Sequence, residues 1–402
     1  MNAEIIIFYI LVFYSLFVSF FYLMLFLEFL GKKNIKNKRF GEITVIIPTY
    51  NNERIIEETI MSVFNQKYPK DKIKLIVVND GSTDKTLEIL KRISKETGKI
   101  QIYSIKNSGK SAAVNFALKK TNAEFVAVLD ADTVLAKDTL LRSMQDFTND
   151  KIMAVTCMMI PLQKKGFLVK MQRTEYLFTS IFRKVLGEID AFPVAPGYAL
   201  FRNKFFKEHG YFDEDNLTED FEIALRIHKY HYTVKYNIDT YVKTEVPEKL
   251  KPLVRQRERW GYGTLFNIWK YRELFSKKYG DLALFLLPTT FFGIVVLLLL
   301  LFLTIKNLLI SLLSIIHAYF IAGYYNTHLT SSMLILSLSN PQLIMGLFGF
   351  LLSLVIYFII KKEVKEKISF FDYLIFLFGY MWILAFCYVL VIYRLIRGKK
   401  FW

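Results

Sequence analysis

The chain has 402 residues, 53% of them hydrophobic, with 53 Lys and Arg against 36 Asp and Glu and a formal net charge of +17. That length supports a sizeable core, and two cysteines, Cys157 and Cys387, exclude a disulfide framework and a Cys/His metal cluster. No nucleic-acid motif accompanies the basic excess, which argues against nucleic-acid binding and points to membrane lipid headgroups and anionic nucleotides as its partners.

Ile5–Leu27 is an uncharged apolar run of 23 residues, long enough to cross a bilayer as a helix. It is a poor signal peptide, because Glu4 precedes it without a base and no small-residue cleavage site follows. Lys32, Lys33, Lys36, Lys38 and Arg39 come next. The positive-inside tendency then places residues from 31 onward in the cytosol and makes residues 1–30 a permanent anchor.

Residues 41–262 are expected to form one polar domain. Short β-rich runs at Thr44–Ile47, Lys74–Val78, Ile100–Ile105 and Phe125–Leu129 alternate with helical patterns over 53–66, 84–96, 110–120 and 137–147. Such alternation, with near-continuous apolar strands, predicts an α/β domain around a buried, mostly parallel sheet. Ligands bind such sheets at the carboxyl ends of the strands. Three polar motifs stand there: Pro48-Thr49-Tyr50-Asn51, Asn79-Asp80-Gly81-Ser82 and Asp130-Ala131-Asp132.

Each motif has a plain reading beside its chemical one. Asp80 with Gly81 reads either as a ligand-approach turn or as a helix cap. Asn107-Ser108-Gly109-Lys110-Ser111 reads as a phosphate cradle or as an ordinary helix start, and it lacks the spaced first glycine of a P-loop. Asp130 and Asp132, two residues apart at a strand end, repel each other unless a cation or donor offsets them. A hard divalent ion that shares a substrate diphosphate, Mg²⁺ or Mn²⁺, suits that pair better than a solvated loop does.

Further along, the amphipathic segment 166–187 mixes aromatics with Lys170, Arg173, Arg183 and Lys184 and is expected at the membrane surface. Gly197, in Pro196-Gly197-Tyr198, permits close approach of an acceptor. Thr218-Glu219-Asp220 opens a helical pattern, and its carboxylates are able to take a proton from an attacking hydroxyl. Thirty-five residues separate Asp220 from Gln256-Arg257-Glu258-Arg259-Trp260. That motif adds a polar amide, a cation for departing charge and an aromatic face, although Trp260 alone equally suits a membrane-interface aromatic.

Residues 263–281 are expected as an interfacial amphipathic helix leading into a membrane region at 282–402 with three or four helices. The candidate spans are Leu282–Ile305, 308–325, 343–360 and Tyr373–Tyr393. The second carries Ser311, Ser314 and His317 on one stripe, compatible with spanning, re-entry or the surface. Four Lys/Arg in each of Lys361–Lys367 and Arg394–Lys400 leave the last span's orientation balanced. Spans free of charge beside a single polar domain argue against a transporter.

The ordered set Asp80, Asp130-x-Asp132, Thr218-Glu219-Asp220 and Gln256-x-x-Arg259-Trp260 resembles membrane-bound family 2 glycosyltransferases, the group containing cellulose, chitin, hyaluronan and poly-N-acetylglucosamine synthases. The resemblance covers residues 43–265 and the flanking spans. It implies a Rossmann-like GT-A domain in the cytosol joined to a multi-pass region in the cell membrane. It also implies a UDP-sugar donor, an inverting transfer, and a growing polysaccharide as acceptor, whose translocation by the same chain is a further expectation. Ceramide glucosyltransferase-like enzymes resemble the same motif set, so transfer of one sugar to a membrane lipid is the alternative.

In residue terms the resemblance implies that Pro48, Tyr50, Asp80 and Lys110 contact the nucleotide, with Asp130 near its ribose or diphosphate and Asp132 on the metal. Asp220 becomes the general base, beside Glu219. Gln256, Arg259 and Trp260 meet the diphosphate and the acceptor sugar, and Gly197 lies on the acceptor side. Where such families often read Tyr-Asn-Glu, this chain reads Tyr50-Asn51-Asn52-Glu53, leaving Asn52 and Glu53 both as partners for the base. The acceptor segment reads Ala195-Pro196-Gly197-Tyr198 in place of a Gly-Ser pair, and no gating-loop motif like that of bacterial cellulose synthases is present.

Overall fold

The computed structural model describes residues 3–29, 39–191, 194–322, 341–364 and 368–397. Lys32, Lys33, Lys36 and Lys38 of the first basic cluster lie outside them, as do Lys365, Lys367, Lys399 and Lys400 of the last two.

After the helix α1 (Ala3–Phe29), four strands and four helices fall close to where the sequence places them: β1 (Ile43–Thr49), α2 (Ile56–Phe64), β2 (Ile73–Asn79), α3 (Thr86–Thr97), β3 (Ile100–Ser104), α4 (Lys110–Leu118), β4 (Phe125–Leu129) and, after the short strand β5 (Thr133–Leu135), α5 (Thr139–Gln145). The remainder of the domain is β6 (Ile152–Pro161), α6 (Phe167–Glu188), β7 (Tyr198–Arg202), α7 (Asn203–His209), α8 (Glu219–Lys229), β8 (Thr233–Thr244) and α9 (Leu250–Lys270). The eight strands form one sheet in the order β3-β2-β1-β4-β7-β6-β8-β5.

The β3-β2-β1-β4 half is parallel, and β6 pairs with β8 in the same sense. β7 runs antiparallel between β4 and β6, and β5 is antiparallel to β8. Strand periodicity builds both faces. Ile43, Val45 and Ile47 enter the core under α2 and α3, whereas Ile46, Ile76 and Val78 enter the core under α4 and α6. Each such fully buried aliphatic stabilises the fold by about 1.5–3 kcal/mol relative to exposure.

Helix α6 lies between the sheet and the apolar helices. One side packs on β6 and β8 and another on α1 and the C-terminal helices, so Met171, Leu177, Ile181 and Val185 are all buried. The segment 263–281 is not a separate helix. Residues up to Lys270 continue α9, and two 3₁₀ turns, Arg272–Phe275 and Lys277–Tyr279, follow. The surface character expected there survives on that stretch: Trp269 is 66% exposed, with the Arg272 guanidinium 5.0 Å from its ring centre.

Among the described residues, three helices are long and apolar enough to cross a membrane: Ile6–Glu28, Leu282–His317 and Phe370–Ile396. Leu282–Leu286 is a π turn that passes into α10 (Leu287–Ala322), so the described part of 308–325 extends that helix and forms no element of its own. α11 (Pro341–Glu363) covers the expected 343–360 span, and α12 (Phe370–Ile396) contains a second π turn. Large side chains such as Phe13 and Phe302 stand exposed along α1 and α10, as a hydrocarbon surrounding requires.

Candidate active site

Asp80 ends β2 with its carboxylate buried. It accepts the backbone N–H of Ser108 at 2.8 Å and of Gly109 at 2.9 Å. Asp80 thus caps neither α3 nor α4 but ties down the loop before α4, which has a consequence for the site. The tether fixes the loop that starts α4, and the first residue of α4 is Lys110. Gly81, at φ 73°, permits this, since a side chain there would press on the Asn107 backbone.

Lys110 Nζ lies 2.5 Å from Asp130 Oδ1 and 2.7 Å from Glu219 Oε1, so one lysine joins the strand-end aspartates to the first turn of α8. Burial works against its charge, but the two carboxylates outweigh burial and hold its pKa above the ordinary lysine value. Glu219 is affected in the opposite direction. Burial alone would lift it, yet Lys110 holds it below the usual glutamate value. Burial and the Glu219 charge push Asp220 up to about 6. Two adjacent carboxyl groups are thereby driven apart, one fixed as an anion and one more basic than an ordinary aspartate.

Asp132 is also pushed up to about 6, by burial and by the neighbouring Asp130. Thr133 Oγ1 and Thr244 Oγ1 lie 3.1 and 3.4 Å from its Oδ1, and the Glu245 N–H donates to its carbonyl at 3.2 Å. Thr244 and Glu245 escaped the sequence reading, because β8 itself did. Among the described residues no group of three or more His, Cys, Asp and Glu converges. A carboxylate that is disfavoured as an anion nevertheless suits a cation that shares its remaining ligands with a substrate diphosphate.

Lys110, Asp130, Asp132, Gly197, Glu219, Asp220, Gln256, Arg259 and Trp260 line one open cleft of ≈ 120 Å³. Gln256 Oε1 is buried there without a hydrogen-bond partner, an acceptor that a ligand hydroxyl or amide would satisfy. Gly197, at φ 66°, brings bare backbone to the wall opposite α9. Pro48, Tyr50, Asn52 and Glu53 do not line this cleft. Asn52 Oδ1 accepts the Thr49 hydroxyl and the Tyr50 N–H, both at 3.1 Å, and Glu53 Oε2 accepts the Lys85 N–H at 3.0 Å. Asn52 braces its own loop while Glu53 ties it to the loop before α3, and of the four the Tyr50 ring offers an exposed face.

Helix α9 also positions the first turn of α8. Asn267 Nδ2 donates to Thr218 Oγ1 at 2.9 Å, and Gly263 leaves room for the buried Thr218 side chain. A methyl group at Gly263 would collide with that side chain. Gly263→Ala gains about 1 kcal/mol of helix propensity but incurs about 1–3 kcal/mol of overpacking. The expected result is a lower melting temperature together with a loss of turnover of at least about tenfold as Asp220 is displaced. Thermal unfolding and a transfer assay on the same preparation check both.

Residues 44–210 match the family model described as glycosyl transferase family 2. These residues are a family 2 glycosyl transferase domain. The chain is similar to the poly-beta-1,6-N-acetyl-D-glucosamine synthase of Staphylococcus epidermidis, 33% identical over 226 residues, covering 55% of this chain and 54% of that protein. It is similar also to the synthase of the same description from Staphylococcus aureus (strain COL), 31% identical over 268 residues, covering 63% and 64%. The matches thus span less than two thirds of either relative. A mannosyltransferase from Pyrobaculum calidifontis, solved with GDP-Man and Mn2+, shares the fold at a TM-score of 0.52 and 23% identity, covering 65% of this chain and 76% of that one. The family 2 domain therefore has the GT-A architecture expected of it, with apolar helices on both sides of it in the chain.

Proposed function

We propose that this chain is a membrane-integrated, inverting glycosyltransferase that adds sugar from a UDP-sugar to a growing polysaccharide, with its family 2 domain on the cytosolic face. The observation that carries the reading is the single cleft in which Asp220, with its pKa near 6, faces Gln256, Arg259 and Trp260 beside Asp130 and Asp132. The names of the staphylococcal relatives make N-acetylglucosamine the first sugar to test.

In this mechanism Asp220 takes the proton of the acceptor hydroxyl as its oxygen bonds to the anomeric carbon from the face opposite the diphosphate. The bond from that carbon to the diphosphate oxygen breaks in the same step, inverting the centre. Arg259 meets the charge that grows on the leaving diphosphate, and Lys110 supplies a second cation at the base of the cleft. Trp260 presents a flat apolar face to the acceptor ring. Asp132, with Asp130, would hold Mg²⁺ or Mn²⁺, which when bound neutralises diphosphate charge. Asp80 and the Tyr50 loop form the side toward the nucleoside.

The test is to incubate the purified chain in lipid nanodiscs with individual UDP-sugars and Mg²⁺ or Mn²⁺, followed by mass spectrometry of the products. A ladder of polymer is expected. A product limited to one sugar on a lipid would replace the polymer reading with the lipid alternative, and no transfer from any donor would overturn both.

A further inference from the structure

Arg257 stands inside the Gln256–Trp260 motif but does not line the cleft. It is 6% exposed. Its Nη2 donates to Glu175 Oε2 on α6 at 2.6 Å and to the Tyr380 hydroxyl on α12 at 3.2 Å. Tyr380 in turn donates to the same Glu175 oxygen at 3.1 Å, closing a three-membered network between α6, α9 and α12. The guanidinium carbon of Arg257 lies 4.2 Å from the ring centre of Trp260 and 5.9 Å from that of Tyr176, and both rings line the cleft.

Two features make this more than a staple between helices. A planar guanidinium held by two fixed oxygens has one orientation, and a ring stacked on it inherits that plane. Tyr380 also closes the π turn Phe376–Tyr380, and the extra residue of such a turn re-aims a side chain, commonly at functional sites. Elsewhere α9 and α12 are held by the Glu258–Arg394 ion pair at 3.0 Å and by close packing of Gly261 near Tyr388 and Val391, neither of which involves Trp260.

We propose that Arg257 is a positioning residue: Tyr380 and Glu175 orient its guanidinium, the guanidinium orients Trp260, and the apolar helix α12 thereby sets the acceptor side of the cleft. The inference rests on Trp260 being the sugar platform of the function proposed above.

The test uses the full chain in nanodiscs with Trp269, Trp382 and Trp402 replaced by phenylalanine, so that Trp260 alone emits. Tyr380→Phe is expected to shift Trp260 emission and change its acrylamide quenching by at least about twofold, as expected when the ring loses its fixed plane. With UDP-N-acetylglucosamine and an N-acetylglucosamine oligosaccharide it should raise the acceptor KM about tenfold and leave the donor KM within about twofold. Arg257→Lys should act in the same way, because an ammonium cannot reproduce the stacked plane. Arg394→Gln, which breaks the Glu258–Arg394 ion pair between α9 and α12, should leave Trp260 emission unchanged. Unchanged emission in Tyr380→Phe, or an equal change in Arg394→Gln, overturns the proposal. Absence of transfer by the parent chain would defeat the functional reading, while the emission data would still decide the positioning one.

Discussion

Asp220→Asn is expected to lower sugar transfer by at least about a thousandfold while nucleotide affinity stays within about twofold. The amide keeps the shape of the first turn of α8 but has no lone pair basic enough to take a proton. Nothing about the donor side should change, because Lys110 engages Asp130 and Glu219 and not Asp220. Isothermal titration with UDP and a transfer assay on the same protein separate the two effects. A variant that loses UDP affinity would assign Asp220 to the donor site and remove it as the base.

The same residue predicts the acid limb of the pH profile. Burial and Glu219 raise Asp220 from 3.8 to about 6. A raised pKa keeps the group protonated, and therefore inactive as a base, up to a higher pH. Transfer should accordingly be full above that value and fall by about tenfold for each unit below it. In Asp220→Asn the residual rate should lose that limb. A wild-type profile flat down to the ordinary aspartate range would contradict the assignment.

The second large effect belongs to Asp132. Its carboxyl group is raised to about 6 by burial and by Asp130, so at neutral pH its ionised form works against the metal-free fold. A bound divalent cation reverses that sign by offsetting both carboxylates. Asp132→Asn should therefore weaken metal-supported UDP binding by about ten- to a hundredfold and leave the weak binding in EDTA unchanged. Its melting temperature in EDTA should not drop, since the substitution removes a buried like charge. Titrations with Mn²⁺, with Mg²⁺ and in EDTA decide the matter. Metal dependence equal to wild type would place the ion elsewhere.

Much of the β1–β4 half of the sheet was legible in the sequence. Ile43–Thr49, Ile73–Asn79 and Phe125–Leu129 are apolar runs that end in polar motifs, and a parallel sheet brings successive strand ends to one edge. The half containing β6, β7 and β8 was less so. β6 and β7 are buried much as β1 and β4 are, so burial alone does not set them apart. β7 pairs antiparallel with strands on both sides, a long-range arrangement that leaves no helix–strand rhythm to read. For α6, the mixture of aromatic and basic side chains suggested a lipid surface. That α6 also packs on the sheet and on the apolar helices is decided by partners distant in the chain.

The sequence by itself determined the apolar helices, the strand-end motifs and the pairing of an acidic turn with Gln256-Arg257-Glu258-Arg259-Trp260, because length, period and residue chemistry are local properties. Only the tertiary structure decided which carboxylates share a lysine, which of Glu219 and Asp220 is raised, and that Asn52 braces its own loop while Glu53 ties it to the loop before α3. It also placed Gly263 against Thr218 and Arg257 between Trp260 and Tyr380. These outcomes depend on burial and on charges brought together from distant segments, and neither is encoded at the position where its effect is felt.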